Sequence, residues 1–289
     1  MAYATPLAGP ILVLGCGGML GRATTALLAE RRIPFLAADM PQFNLLDRAS
    51  ITQVVNRNAS IVINCAAYTD VDGAESNQNI ARAINATGVA WLAERCRDTA
   101  AMLIHYSTDY VFDGKANSPY PTDHPKKPIN AYGQSKSEGE DAILASGADH
   151  LILRTSWLYA PWAKNFVRTI ARFGAEKPTL RVVNDQRGRP TSAEHLADIT
   201  LRMITANARG THHATDGGEC TWFDFASAIV SDLGLPARVE PCTSDEFPRP
   251  AARPAYSTLD ISRTEAMIGR LTPWRECLAA VLPRLESTP

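Results

Sequence analysis

The sequence predicts an α/β fold in which a doubly wound parallel sheet is followed by a smaller C-terminal α/β domain. Three observations support this prediction. Short apolar runs alternate with segments of helical periodicity in the first half, the first apolar run ends in a cluster of glycines, and the alternation loosens after about residue 155. Strands that alternate with helices build parallel sheets covered by helices on both faces. A chain of 289 residues can bury the core of one large domain or of two modest ones.

The predicted strands of the first half are short and apolar, as expected for strands that are buried on both faces. They span residues 11–14, 34–38, 61–63, 102–104 and 151–153. Helices are predicted between them because apolar residues recur there at intervals of three and four positions. These helices cover residues 19–32, a short segment around 51–55 with Ser50 as its N-cap, residues 78–98 and residues 131–144.

The second half of the chain has a weaker periodicity. Helices are predicted near residues 165–173, 192–207, 222–233 and 274–286, with short strands near 180–183 and 211–214. Five prolines lie between residues 236 and 256, so we expect mostly ordered loop in this stretch. The larger predicted domain covers residues 1–155 and is continued by roughly 190–216. The smaller one combines residues 156–189 with residues 217–289.

Composition and charge exclude several classes of protein. Lys and Arg total 29 and Asp and Glu total 30, which gives a formal net charge of -1 and no overall preference for nucleic acid or an anionic membrane. The N-terminal segment has no basic start, and the apolar run after it is too short for a signal peptide or a membrane span. The six cysteines are scattered, without metal-ligand spacing. We therefore expect a cytoplasmic protein with reduced cysteines, no metal, no nucleic-acid partner and no membrane partner.

The turn after the first strand has the glycine spacing of a dinucleotide-binding site. Gly15, Gly18 and Gly21 form a G-x-x-G-x-x-G motif at the start of the first helix. Glycine allows a pyrophosphate to approach the backbone, and the unpaired N–H groups of the helix N-terminus bind it. We therefore expect a Rossmann-like dinucleotide-binding domain over residues 1–155. The residues of the turn expected to contact the cofactor are Gly15, Gly17, Gly18, Met19, Leu20 and Gly21.

Asp39 stands at the end of the second predicted strand, 24 residues after Gly15. A carboxylate at this position normally accepts hydrogen bonds from the adenosine ribose hydroxyls and repels a 2′-phosphate. The next three residues provide no arginine to offset this charge. The sequence therefore favours NADH over NADPH, with a solvated loop aspartate as the alternative.

Tyr132 and Lys136 form a Tyr-x-x-x-Lys pair on the helix predicted over residues 131–144. Residues four apart lie on one helix face, so the ammonium is expected to lower the pKa of the phenol. A shift of three units corresponds to roughly 4 kcal/mol, so burial and a cationic nicotinamide would have to contribute as well. Thr108 ends the fourth strand, where its hydroxyl can orient a substrate carbonyl. The alternative for the pair is an ordinary contact on the helix surface.

Together, the glycine turn, the strand-end hydroxyl and the Tyr-x-x-x-Lys pair resemble the extended short-chain dehydrogenase/reductase superfamily. Longer runs narrow the resemblance to the dTDP-4-dehydrorhamnose reductases. They are residues 64–72 (NCAAYTDVD), 84–86 (INA), 107–114 (STDYVFDG), 154–159 (RTSWLY), 185–191 and 253–254 (RP). The resemblance extends from about residue 11 to the final helix.

This resemblance implies an NADH- or NADPH-dependent reductase of a nucleotide-linked 4-ketosugar. Thr108 is then the strand-end hydroxyl, Tyr132 the proton donor and Lys136 the group that binds the nicotinamide ribose. The further residues implied to line or support the cofactor site are Asn44, Leu45, Ala66, Ala67, Tyr68 and Asn85. Those implied to contact the substrate with Thr108 and Tyr132 are Thr69, Val71, Tyr110 and Trp157 around the sugar and Arg253 at its diphosphate. Trp157 as plain core and Arg253 as a surface residue are the alternatives.

Three positions depart from the family pattern. Asn44 replaces a frequent Asp near the adenine, Cys65 replaces an Ala, and Arg187 replaces a bulky apolar residue. None of the three carries the chemistry, although Arg187 could alter contacts of the substrate loop. Two rival functions stay open, a reductase of another nucleotide-linked 4-ketosugar and a non-catalytic regulatory subunit of a methionine adenosyltransferase. A homodimer also stays open.

Overall fold

A six-stranded parallel sheet forms the centre of the computed structural model, which describes residues 10–285. Its strands are β1 (Ile11–Leu14), β2 (Phe35–Ala38), β3 (Ile61–Asn64), β4 (Met102–Thr108), β5 (His150–Thr155) and β10 (Gly210–His213). They lie in the order β2-β1-β3-β4-β5-β10, and every neighbouring pair is parallel. The predicted doubly wound parallel sheet is therefore confirmed.

Alternate residues of β1 face two separate layers of helices. Ile11 and Val13 pack into one core, and Leu12 and Leu14 pack into another. The helices of the first layer are α1 (Met19–Glu30) and α8 (Ala193–Thr205), and those of the second are α2 (Arg48–Val54), α5 (Val89–Thr99) and α6 (Ala131–Ser146). Successive side chains of a strand point to opposite faces, so burial on both faces explains why the run is apolar throughout.

The long helix predicted over residues 78–98 contains a wider turn. α4 (Gln78–Arg82) runs into a π-helical turn over Ala83–Gly88, which continues into α5. The backbone of this turn lies close to the loop that follows β2, since a Cβ on Gly88 would lie 2.3 Å from the carbonyl oxygen of Leu45. Turns of this kind are frequent at functional sites, and this one contains Asn85.

Most of the other elements pack around a second core, in which Ile170, Phe225 and Leu278 meet. The helices over Val71–Ser76 and Ser262–Ile268 pack instead against α6 and α8. The strands of this second core form three pairs, which are β6 (Leu158–Tyr159) with β9 (Thr191–Ser192), β7 (Thr179–Val183) with β12 (Arg238–Cys242), and β8 (Arg187–Gly188) with β11 (Cys220–Thr221). The remaining helices are α3 (Val71–Ser76), α7 (Phe166–Glu176), α9 (Trp222–Asp232), α10 (Ser262–Ile268) and α11 (Trp274–Val281). Within residues 10–285, none of the helices has the length and apolarity to cross a bilayer.

One local prediction is wrong. Asp47, rather than Ser50, caps α2, because its carboxylate accepts the N–H of Ala49 at 2.9 Å while Ser50 lies inside the helix. The proline-rich stretch is mostly loop, as predicted, but it also contains β12, with Pro241 inside the strand. Proline has no N–H group to donate to a neighbouring strand. It is tolerated here because β12 pairs only with β7 in the described residues, so the other edge of β12 forms no hydrogen bonds to a strand.

A buried ion pair fixes α6 against the sheet. Both oxygens of Glu140 accept hydrogen bonds from the Arg154 guanidinium, at 2.8 and 2.7 Å. Both residues are at most 4% exposed, and Arg154 also donates to the carbonyl oxygen of Thr122. Burial favours the neutral acid, yet the bidentate contact with Arg154 holds the pKa of Glu140 below its usual value. Since Glu140 is on α6 and Arg154 on β5, the pair sets the position of the helix that carries Tyr132 and Lys136.

The substitution Arg154→Met is expected to lower the free energy of unfolding by about 3 to 5 kcal/mol, because it leaves the buried Glu140 with only the longer contact to Lys126 at 3.4 Å. Urea denaturation measures the change. The control is Arg284→Met, which breaks an exposed bidentate pair with Glu194 and should cost less than about 1 kcal/mol. Equal and small losses for the two variants would contradict the structural role of the buried pair.

Candidate functional site

A cleft of about 600 Å³ lies at the carboxyl ends of β1, β3, β4 and β5. The chain runs outward from β1 to β2 and returns to β3 on the other side, so the direction of strand order reverses at β1. Open α/β sheets bind ligands at such a point. The sequence-predicted residues that line the cleft are Gly15, Gly18, Met19, Leu20, Asp39, Ala66, Ala67, Thr69, Val71, Thr108, Tyr110, Tyr132, Lys136 and Trp157.

The glycine turn has no room for side chains. Gly15 has a φ of +71°, and a Cβ on it would lie 2.7 Å from the backbone nitrogen of Ala66. A Cβ on Gly21 would lie 2.1 Å from the carbonyl oxygen of Gly15, so Gly21 packs α1 against the turn instead of lining the cleft. Gly18 is the N-cap of α1 and lines the cleft, which directs the positive end of the helix towards it. These features fit the pyrophosphate of a dinucleotide.

Asp39 lies at the end of β2, beside this turn. Its Oδ2 accepts the N–H of Gly17 at 2.7 Å, and its Oδ1 accepts the N–H of Met40 at 2.8 Å. Gly17 does not line the cleft itself but holds the carboxylate that does. Asp39 is thus a fixed acceptor at the cleft wall rather than a freely solvated loop residue.

Besides Gly17 and Gly21, four more of the predicted cofactor residues lie outside the cleft lining, namely Asn44, Leu45, Tyr68 and Asn85. The Asn85 amide pairs with both backbone groups of Tyr68, at 2.9 and 3.0 Å, and donates to the hydroxyl of Ser135 at 3.0 Å. Asn85 therefore ties the π-helical turn to the loop after β3 and to α6. Leu45 packs against the same turn at Gly88. These residues support the cleft rather than line it.

The phenol of Tyr132 lies in the cleft beside Thr108 and Asp109. Burial raises the pKa of Tyr132 to about 12, the charge of Asp109 acts in the same direction, and the Thr108 hydroxyl opposes the shift. The expected lowering of this pKa by Lys136 is therefore wrong for this structure. A raised pKa keeps the phenol protonated at neutral pH, which is the state that a proton donor requires.

Lys136 is held by the sheet instead of by the phenol. Its Nζ donates to the carbonyl oxygen of Tyr106 at 2.6 Å and lies 3.2 Å from Nε2 of His105. Burial lowers the pKa of Lys136 to about 8, although the charge of Glu140 acts in the opposite direction. Burial and the Lys136 charge together place the pKa of His105 well below its usual value, so this imidazole is neutral. The ammonium is therefore oriented by β4 while the side chain still lines the cleft.

His105 and its partner Asn64 are site residues that the sequence analysis missed. Asn64 accepts the N–H of Ala66 through Oδ1, and its amide nitrogen lies 3.2 Å from Nδ1 of His105. The chain of contacts thus joins the loop after β3 to Lys136. Asn64 opens the run of residues 64–72 and His105 lies two residues before the run of residues 107–114, but the pairing depends on β3 and β4 being neighbours.

The far wall of the cleft is aromatic. Trp157 stacks on Trp222 with ring centroids 3.6 Å apart and an interplanar angle of 10°. Trp157 has a φ of +46°, a costly backbone conformation for a bulky residue. Trp222 and the exposed Lys164 line the cleft although the sequence analysis did not select them. Both come from beyond residue 155, where periodicity gave no reason to choose them.

Arg253 does not line the cleft. Its guanidinium lies 3.0 Å from Oδ1 of Asp72. The other oxygen of Asp72, Oδ2, pairs with Arg249 at 2.7 Å. It lies 5.9 Å from the centroid of the Tyr110 ring. Its charge is therefore compensated by Asp72 in this structure, and its contact with a diphosphate stays a prediction.

Three side chains of types that can bind a metal ion lie together away from the cleft, although their positions in the sequence do not follow the spacing of a known metal-binding motif. His195, Asp216 and Cys277 bring possible ligand atoms within 4.8 Å of one another. In the structure they interact directly, since Nδ1 of His195 lies 2.7 Å from Asp216 and 3.6 Å from the sulfur of Cys277. The three side chains join α8, the segment after β10 and α11.

Comparisons with known proteins identify one family. The family described as RmlD substrate binding domain matches residues 9–287. A dTDP-4-dehydrorhamnose reductase of Mycobacterium tuberculosis is 42% identical over 283 residues, which cover 94% of this chain and 92% of the relative. A dTDP-4-keto-6-deoxy-D-glucose reductase of Streptomyces niveus is 38% identical over 281 residues, covering 96% and 97% of the two chains.

A solved structure extends the similarity to the fold. It is that of a dTDP-4-dehydrorhamnose reductase from Bacillus anthracis in complex with NADP. It matches with a TM-score of 0.91 and 34% identity, over 96% of this chain and 99% of that chain. The chain therefore belongs to the dTDP-4-dehydrorhamnose reductase family of NAD(P)H-dependent oxidoreductases, within the extended short-chain dehydrogenase/reductase superfamily.

Proposed function

We propose that this protein reduces the C4 ketone of dTDP-4-dehydro-L-rhamnose to give dTDP-L-rhamnose. The observation that carries the proposal is the shared cleft, in which the protonated phenol of Tyr132 and the hydroxyl of Thr108 face the same space as the glycine turn. A bound nicotinamide cofactor would supply the hydride. Tyr132 protonates the developing alkoxide, and a positioned general acid of this kind contributes about 10²- to 10⁴-fold to the rate.

The two neighbouring side chains hold the reactants in place. Thr108 orients the carbonyl, and Lys136 binds the nicotinamide ribose. Lys136 can do this because its contact with the Tyr106 carbonyl fixes the ammonium at the cleft wall. Correct orientation contributes through the entropy of positioning, so a rigid support behind each group matters for the rate.

The substrate is proposed to lie between the two cores of the chain. Residues 1–155 with roughly 190–216 hold the dinucleotide, and residues 156–189 with 217–289 hold the nucleotide sugar. The sugar contacts are assigned to Thr69, Val71, Tyr110 and Trp157. The presence of Trp157 and Trp222 in the cleft lining supports this placement, because aromatic rings offer apolar area to a deoxysugar. Arg253 would reach the diphosphate by exchanging its contact with Asp72.

The cofactor is NADH or NADPH, with a preference for NADH. The Bacillus anthracis relative is solved with NADP, which supports access for NADPH. The fixed carboxylate of Asp39 supports the preference for NADH, because it would repel a 2′-phosphate. We place the reaction in the cytoplasm, where a biosynthetic reductase has its reduced cofactor.

A second candidate is the reduction of another nucleotide-linked 4-ketosugar. It is favoured by the 38% identity to the Streptomyces niveus dTDP-4-keto-6-deoxy-D-glucose reductase. The same acid and the same cofactor site serve both reactions, and the difference lies in the sugar pocket. Loss of absorbance at 340 nm with each ketosugar, and with NADH and NADPH in parallel, distinguishes the two. A protein that binds both cofactors but oxidises neither with any ketosugar would favour the regulatory-subunit alternative.

The substitution Tyr132→Phe is expected to lower kcat by about 10²- to 10⁴-fold, since it removes the transferred proton and little else. Binding of NADH, measured by fluorescence titration, should stay unchanged. Tyr120→Phe is the matched control, because the Tyr120 hydroxyl bonds Asp113 outside the cleft and its loss should leave turnover intact. Wild-type turnover in Tyr132→Phe would refute the proposed proton donor.

The substitution Asp39→Asn is expected to raise the ratio of kcat/KM for NADPH to kcat/KM for NADH by about tenfold, which corresponds to roughly 1.4 kcal/mol. The amide keeps one acceptor oxygen for the N–H of Gly17 or of Met40, and it loses the charge that opposes a 2′-phosphate. Steady-state kinetics with both cofactors give the ratio. Asp123→Asn, an exposed residue outside the cleft, should not change it. An unchanged ratio in Asp39→Asn would mean that Asp39 does not select the cofactor.

A further inference from the structure

Lys164 lines the cleft, but no step of the proposed reaction uses it. Among the described residues, the cationic side chains of the cleft lining are those of Lys136 and Lys164. The Lys136 ammonium is bonded to the Tyr106 carbonyl, whereas the Lys164 ammonium has no hydrogen-bond or ion-pair partner within residues 10–285. Most exposed lysines are simply solvated. The contacts of the loop that carries Lys164 set it apart from these.

The loop of residues 160–165 has a fixed backbone. The amide nitrogen of Asn165 donates to three carbonyl oxygens of this loop, at 2.8, 3.2 and 3.2 Å. Ala163 has a φ of +58°, a left-handed conformation that costs energy in a residue other than glycine and persists only where the surroundings enforce it. Lys164 lies between these two residues, so its backbone position is set by the loop.

This loop is docked on the glycine turn. The indole N–H of Trp162 donates to the carbonyl oxygen of Met19, the first residue of α1, at 3.1 Å. The Arg22 guanidinium lies over the same indole ring, 4.5 Å from its centroid, which adds a cation–π contact with α1. Trp162 also packs against the first core, although it comes from the segment assigned to the nucleotide sugar. These contacts place Lys164, two residues further on, beside the turn that is expected to hold the pyrophosphate.

The charges around the glycine turn leave a bound pyrophosphate incompletely balanced. The pyrophosphate of a dinucleotide carries about two negative charges, and a helix N-terminus offers only roughly half a positive charge. Asp39 adds a negative charge at the same wall of the cleft. Since the Lys136 ammonium is held by β4, Lys164 is the cation of the cleft lining that can balance the pyrophosphate.

We propose that Lys164 is a second binding group for the cofactor pyrophosphate, and that Trp162 positions it by docking the loop on α1. The glycine turn and the start of α1 offer backbone N–H groups, and Lys164 offers a full charge with three N–H donors. The cofactor then contacts both parts of the chain, because Lys164 belongs to the segment that holds the nucleotide sugar. This inference rests on the proposed use of NADH or NADPH and adds a residue to that binding site.

The substitution Lys164→Met tests the contact, because it keeps most of the side-chain length and removes the charge. We expect the Kd of NADH, measured by fluorescence titration without a ketosugar, to rise by about tenfold. Added salt should then weaken NADH binding less than it does in the wild type. Lys164→Arg, which keeps the charge, should retain most of the affinity. Lys115→Met removes an exposed lysine outside the cleft lining and should leave the Kd unchanged.

A double-mutant cycle tests the positioning role of Trp162. Trp162→Phe keeps an aromatic ring beside Arg22 and removes the N–H that binds the Met19 carbonyl. It should raise the Kd of NADH by about threefold in the wild-type chain and have no further effect in Lys164→Met, because no charge is left to position. Equal effects in the two backgrounds would show that Trp162 supports the turn itself and would overturn its role in placing Lys164.

A second ligand identifies which phosphate Lys164 binds. Titration calorimetry with dTDP reports on the diphosphate of the nucleotide sugar instead of the cofactor. If Lys164→Met loses at least as much affinity for dTDP as for NADH, Lys164 belongs to the substrate diphosphate, and if neither affinity changes, it is a solvated surface residue. Either result overturns the inference while leaving the reductase function intact. Failure of that function would appear differently, as a wild-type protein that binds neither NADH nor NADPH.

Discussion

The position of the whole catalytic cleft depends on the buried contact between Glu140 and Arg154. Glu140 lies four residues after Lys136 and eight after Tyr132, so the three side chains share one side of α6. The Arg154 guanidinium donates to both carboxylate oxygens and so holds Glu140 against β5. This contact fixes the rotation of α6 about its axis and the distance of α6 from the sheet. Asn130 caps the other end of α6 by accepting the N–H of Gly133 at 2.7 Å. Between these two fixed points the side chains of Tyr132 and Lys136 have little freedom to move.

Burial, rather than charge pairing, governs the chemistry of the cleft. It raises the pKa values of Tyr132 and Asp109 and lowers those of Lys136 and His105, so each group is shifted towards its neutral form. Such a cleft has few fixed charges of its own, and a charge that enters with a ligand or develops during reaction is weakly screened. Hydrogen bonds from fixed hydroxyl and amine groups to such a charge are then stronger than they would be in water.

The fold was predictable from sequence because its signals are local. Apolar runs, helical spacing and the glycine turn identify the sheet and the cleft without knowledge of distant residues. The wrong cap arose because two residues, Asp47 and Ser50, satisfy the same rule. The strand at Pro241 gave no signal because an edge tolerates a proline. The missed site residues depend on tertiary pairing. Trp222 meets Trp157 only after the second core forms, and His105 reaches Lys136 only because α6 docks on β4.

The sixth strand of the central sheet has a consequence for how the protein is made. β5 is translated long before its outer partner β10, and α8, which covers one face of the sheet, also comes from the later part of the chain. While the ribosome synthesises residues 156–209, the emerging sheet therefore has an open edge at β5 and an apolar face that only α1 covers. Open edges and uncovered apolar faces are where nascent chains associate with one another. The nascent chain is accordingly most prone to association until His213 has left the exit tunnel.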